Sequence, residues 1–216
     1  MAKSKKKNRI PAPKGQLINK IIGKNSVQSG QSENHFQNAL DKKDYVLAKK
    51  ILDQTQNLSE WRKLNLEGLI TISQGDLVAT ERILLRAIRY PDCGVKPYKN
   101  LVGVYSNMGR LRDALPLAQK AHDMEPENLE IGLLYINCLL DLAMADDVIR
   151  TADKLLVKNV NHRQCMLAKA SALRAGFRVD EANTQTDKIL ELYPNEPTAM
   201  RLKADILGDK DSVAAV

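Results

Sequence analysis

Between residues 61 and 196 apolar and small residues recur at spacings of three and four, the period of an α-helix, and the helical segments come in pairs. With Val95 as position 1, Tyr98, Leu101, Val102, Tyr105, Gly109, Ala114, Ala118, Ala121 and Pro126 occupy positions 4, 7, 8, 11, 15, 20, 24, 27 and 32. The frame returns 34 residues later, with Tyr135, Ile136 and Leu139 at 7, 8 and 11 and Ala152 and Leu155 at 24 and 27. It returns again with Met166, Ala170, Leu173, Ala182, Ile189 and Pro194 at 4, 8, 11, 20, 27 and 32. Going backward, Leu64, Gly68, Gly75, Leu84 and Ala87 take 4, 8, 15, 24 and 27. Four units, 61–94, 95–128, 129–162 and 163–196, therefore tile the chain without an insertion.

The spacing has a physical reading. Small residues at 8 and 20 let helix A and helix B of a unit approach closely, and position 27 packs on the next helix A. Gly75 and Gly109 separate A from B, and proline at 32 ends B because it lacks an N–H. Leu142-Ala143-Met144 stands where the glycine turn is expected, which predicts a shorter or continuous connection there. Pro116, early in a helix B, forfeits a hydrogen bond and is expected to bend the helix start. Residues 29–60 read as a degenerate first unit, 197–208 as a capping helix, and 209–216 as a flexible tail.

These residues resemble the tetratricopeptide repeat, a 34-residue helix–turn–helix unit. The resemblance implies an all-α, right-handed α-solenoid of such repeats with a C-terminal capping helix. It also implies a binding groove lined by positions 2, 5, 9, 12 and 13 of helix A. In this chain that face includes Arg62, Asn65, Leu69, Lys96, Lys99, Asn107, Leu133, Asn137, Leu140, Leu167 and Arg174, with Ile72 beside Leu69. Leu69, Ile72, Leu133, Leu140 and Leu167 are expected to point outward, with amides and cations between them. An extended or helical peptide suits such a surface. The carboxylate clamp of chaperone-binding family members is not reproduced, because Asn100 at position 6 lacks the cationic pairs before and after it. An asparagine ladder at position 6, as in the O-linked sugar transferases, fails as well.

Composition narrows the function. Aromatic residues are 4% of the chain and charged residues 27%, and no apolar run approaches the roughly 18 residues of a membrane span. Cys93, Cys138 and Cys165 stand apart, too few and too scattered for a disulfide framework, which with the lack of a signal-peptide h-region predicts a cytoplasmic protein. His162 and Cys165 alone make no metal site, so neither metal nor cofactor is expected. Paired acids such as Asp146-Asp147 sit at helix starts, where the helix dipole accounts for them, and no nucleophile–base pair appears.

Charge is unevenly placed. Residues 1–28 carry eight Lys and Arg and no acid, against 25 bases and 26 acids in the rest. This arm, with Lys3, Lys5, Lys6, Lys7 and Arg9 at its head and a short helix expected over 16–22, reads as a mostly disordered leader. Weak contact with nucleic acid or an anionic membrane is its alternative use. The reading is a non-enzymatic scaffold or adaptor for a protein or peptide ligand, with no small-molecule substrate. A regulatory or targeting module acting in trans with a bacterial transferase-type enzyme is the alternative that the resemblance suggests.

Overall fold

A computed structural model describes residues 32–214, with side chains from 34 to 208. The basic arm and its expected short helix lie outside the described residues. The described residues form eleven α-helices. They are α1 (Ser32–Asp41), α2 (Tyr45–Gln54), α3 (Glu60–Gln74), α4 (Leu77–Ala87), α5 (Val95–Asn107) and α6 (Leu111–Met124). Then follow α7 (Leu129–Asp141), α8 (Ala145–Lys158), α9 (Arg163–Ala175), α10 (Val179–Leu192) and α11 (Pro197–Ala214). They fall into two compact units, one ending at Arg110 and one starting at Leu111. The fold class is all-α.

Each A helix ends the same way. The backbone turns left-handed at Lys43 (φ 57°), Gly75 (81°), Gly109 (73°), Ala143 (58°) and Phe177 (60°). From Gly75 onward these residues are spaced by 34. Two backbone bonds close every turn. At Ala143 its N–H reaches Leu140 O at 3.0 Å and the Met144 N–H reaches Leu139 O at 2.9 Å. Gly109 and Arg110 make the same pair to Ser106 and Tyr105, at 3.1 and 2.8 Å. This 5→2 and 6→1 pattern stops the helix and satisfies carbonyls that would otherwise be orphaned. The connection at 142–144 is therefore neither shorter nor continuous. Hydrogen bonding forces the conformation even where a side chain disfavours it.

The B helices begin from these turns. Asp44 and Asp76 cap α2 and α4 by accepting from Leu47 N (3.0 Å) and Ala79 N (2.9 Å). With the register set, the same positions are buried in every unit. Position 20 holds Thr80, Ala114, Val148 and Ala182, and all are fully buried. Position 27 holds Ala87, Ala121, Leu155 and Ile189, none above 2% exposed. Thr80 replaces the usual small apolar residue without an orphaned hydroxyl, because its Oγ1 donates to Asp76 O at 2.7 Å and lies 2.7 Å from Thr71 Oγ1. Pro116 is accommodated on the exposed side of α6.

In the second unit, Ile136, Leu139, Val148, Leu155, Met166, Leu173 and Ile189 form one continuous core with Leu202 and Ile206 of α11. Pro197 opens α11 at a position where no N–H is missed, and Glu196 accepts from Thr198 N at 3.3 Å while pairing with Arg163 at 3.2 Å. The helix expected to stop at 208 runs on through Ala214.

Two stability changes follow. A Cβ at Gly68 would lie 2.7 Å from Leu84 Cδ2 and 3.0 Å from Cγ, and Leu84 is fully buried. Overpacking costs about 1–3 kcal/mol, against a helix-propensity gain of about 1. Gly68→Ala therefore lowers stability by up to about 2 kcal/mol in urea denaturation, and an unchanged midpoint would show that Leu84 has room to move. Phe177 is 90% exposed and contributes little burial to offset its left-handed backbone. Phe177→Gly raises stability by about 1 kcal/mol, whereas a loss would mean that the ring makes contacts worth more than the strain.

Candidate functional site

The A-helix face predicted to bind a peptide is described one unit at a time. In the first unit α3 and α5 carry it. Asn65 and Asn100 are each only 4% exposed, and Asn100 Nδ2 donates to Asn65 Oδ1 at 2.9 Å. The second amide atoms, Asn65 Nδ2 and Asn100 Oδ1, engage no other group among the described residues. The pair thus bridges successive A helices and leaves the Asn65 NH2 to donate and the Asn100 carbonyl oxygen to accept, the complement of a peptide group. Lys96 and Lys99 stand half-buried on α5, each with polar contacts of its own. Arg62 is exposed, with its guanidinium 5.3 Å from the Trp61 ring centroid. Asn107 is exposed and folds back to donate to Gly103 O at 2.8 Å.

Leu69 and Ile72 correct the outward-pointing expectation, at 5% and 3% exposed. Helix α3 buries residues almost all round, including Leu64, Leu69, Ile70 and Ile72, so its packing consumes the positions assigned to the ligand. In the second unit Leu133 and Leu167 are half-buried against the core. Leu140 remains 37% exposed beside the exposed Asn137. Arg174 holds Asp205 of α11 at 3.3 Å. The Asn65–Asn100 pair was not among the predicted contacts as a pair. Its signal in the sequence is an asparagine at position 5 of one helix A and at position 6 of the next.

Chemistry of other kinds finds no footing in the described residues. The three thiols are buried, and burial pushes Cys93 and Cys165 up to about 11 and Cys138 to about 12, so they are not thiolates at neutral pH. No group of three metal-binding side chains occurs among the described residues. Also among them, no helix is long and apolar enough to cross a membrane.

A tetratricopeptide-repeat family model matches residues 107–172. That segment is tetratricopeptide repeat. Among solved structures it is similar to a tetratricopeptide repeat protein from Parabacteroides merdae, with a TM-score of 0.67 at 19% identity over 93% of this chain and 77% of that one. It is also similar to YrrB, described as a TPR protein with an unusual peptide-binding site, with a TM-score of 0.63 at 16% identity over 80% and 86%. MamA from Desulfovibrio magneticus gives a TM-score of 0.64 at 12% identity over 71% and 87%. At these identities the likeness establishes the fold. No curated protein sequence matches the chain.

One histidine, in the last turn of α6, titrates with consequence. His122 stacks on Tyr135 with ring centroids 5.4 Å apart, and its Nδ1 is buried without a partner. Desolvation lowers its pKa below 6.5, with Lys154 adding to the shift and Asp123 opposing it. The unfolded chain therefore takes up the proton first. Stability is intact above pH 6.5, falls below it, and levels off beneath the depressed folded value. His122→Phe keeps the stack and flattens the decline in thermal midpoint between pH 7.5 and 5.5, whereas equal slopes in both proteins would remove His122 as the cause.

Proposed function

We propose that the chain is a non-enzymatic interaction scaffold that holds a protein partner's extended segment on its A-helix face. The observation carrying this reading is the Asn65–Asn100 pair, two buried amides joined at 2.9 Å with a donor and an acceptor left over. A peptide backbone presents the matching acceptor and donor whatever its side chains, so the pair supplies affinity and fixes register. Lys96, Lys99 and Arg62 then favour a segment containing carboxylates. In the second unit Leu140 with Asn137 provides an apolar contact flanked by an amide. The description of YrrB as peptide-binding agrees with this use of the fold.

The test pans a random peptide library against the full chain and measures selected peptides by calorimetry. Asn65→Leu with Asn100→Leu replaces both partners by groups of similar volume, which spares the fold because no polar atom is left stranded. Affinity drops roughly tenfold or more, the worth of two modest hydrogen bonds. Leu133 and Leu167 are unsuitable for such a test, since they pack on the core. Peptides that bind the double variant and the wild type equally, with helical circular dichroism intact, would overturn the reading.

A further inference from the structure

The near-balance of charge outside the arm conceals a segregation. Residues 61–110 hold eight Lys and Arg against four Asp and Glu, whereas residues 111–216 hold 13 against 17. Much of the excess sits on one helix face. Val78, Arg82 and Arg86 follow one another at intervals of four on α4, and Arg89 comes three later in the turn that continues it. This spacing puts them in one row. All four are exposed, Val78 to 70%.

The arginines are unopposed. No described residue forms a hydrogen bond or ion pair with the side chains of Arg82, Arg86 or Arg89. The nearby acids are engaged elsewhere. Glu81 takes two bonds from Arg110, at 2.8 and 3.0 Å, Asp76 caps α4, and Asp92 accepts from Trp61 Nε1 at 3.2 Å. The corresponding faces of α8 and α10 carry acids instead. Where α4 has Leu85, α8 and α10 have Asp153 and Asp187, which hold Lys169 and Lys203 at 2.6 Å each. The helix dipole accounts for a cation in the last turn, as at Arg86, but not for Arg82 in mid-helix.

A tyrosine comes directly after the row in the chain. Tyr90 follows Arg89 and is 38% exposed. Backbone bonds on both sides, Tyr90 N to Ala87 O at 3.3 Å and Cys93 N to Tyr90 O at 3.0 Å, hold its position. We propose that the outer face of α4, with Tyr90 at its end, docks the strand of single-stranded nucleic acid. The guanidinium forks match phosphate oxygens in pairs, and a base stacks on the tyrosine ring. An anionic bilayer fits less well, because Val78 alone offers apolar insertion along the row. The surface lies on a B helix and is independent of the A-helix peptide face.

The test follows fluorescence anisotropy of labelled U20 with the full chain from 50 to 200 mM salt. Arg82→Gln, Arg86→Gln and Arg89→Gln together weaken binding at least tenfold at the lowest salt. They also reduce the log–log salt slope by about 2, since each phosphate lost from a single strand removes about 0.7. Tyr90→Ala weakens binding roughly fivefold without changing the slope. Lys120→Gln, Lys154→Gln and Lys188→Gln together remove equal charge and leave binding unchanged. Replacing Lys3, Lys5, Lys6, Lys7 and Arg9 by Gln lowers affinity without abolishing the effect of the arginine triple.

Three results would each overturn the proposal, given unaltered circular dichroism in the variants. The arginine triple binds like wild type, or the lysine triple weakens binding as much. Alternatively, phosphatidylserine vesicles bind in an Arg82-dependent way while U20 does not.

Discussion

The structure depends on a reversal that each A helix must complete within three residues. A chain that leaves a helix has unsatisfied carbonyls, and it must turn back closely enough for helix B to cover the same apolar stripe. One residue in the left-handed region, flanked by the 5→2 and 6→1 hydrogen bonds, meets both demands. Lys43, Gly75, Gly109, Ala143 and Phe177 all adopt it. Because the turn is constant, positions 20 and 27 of every full repeat arrive buried, whether they carry alanine, threonine, valine, leucine or isoleucine. Register comes first and side-chain volume adjusts to it, as the close seat of Leu84 over Gly68 illustrates.

The sequence made the period legible because burial is decided by position. Pro126 and Pro194, Gly75 and Gly109, and the small residues between them mark unit edges and contacts wherever the local chemistry agrees with the fold. It misled at Ala143, where, as at Phe177, the chemistry and the backbone disagree. A left-handed non-glycine residue costs about 1–2 kcal/mol, a sum that two hydrogen bonds and a packed helix pair offset, so glycine's absence there does not signal a different turn. The α11 end shows the same limit. Gly208 looked like a stop, but a helix continues past glycine unless another arrangement satisfies its carbonyls.

Surface roles were harder to read than core roles. Position within helix A identifies which residues face away from helix B, yet α3 is apolar on too many sides for every such residue to stay accessible, and Leu69 and Ile72 are absorbed. Asn65 and Asn100 fall at different positions of their repeats, so a search by repeat position separates what a hydrogen bond joins. The charge tally hid the α4 row for a related reason. Summing residues 29–216 cancels bases near residue 85 against acids beyond residue 111, so a local excess vanishes from the total.

Buried repeat positions and exposed ones therefore evolve under different constraints. Truncating a fully buried Leu84 or Leu155 costs about 2–5 kcal/mol, a large part of a domain's stability, whereas exchanging an exposed side chain usually moves it by less than about 0.5. The outer places on the B helices are correspondingly free. Arg89, just past the end of α4, corresponds to Asp123, Val157 and Glu191 on the B helices of the next three repeats. Binding chemistry in this chain should thus be sought where equivalent positions differ between repeats. By that criterion the A-helix amides qualify, and on the α4 row Arg89 does, whereas Arg82 has a counterpart in Arg150 and Arg86 in Lys120, Lys154 and Lys188, so the row is set apart by its missing acids rather than by its cations alone.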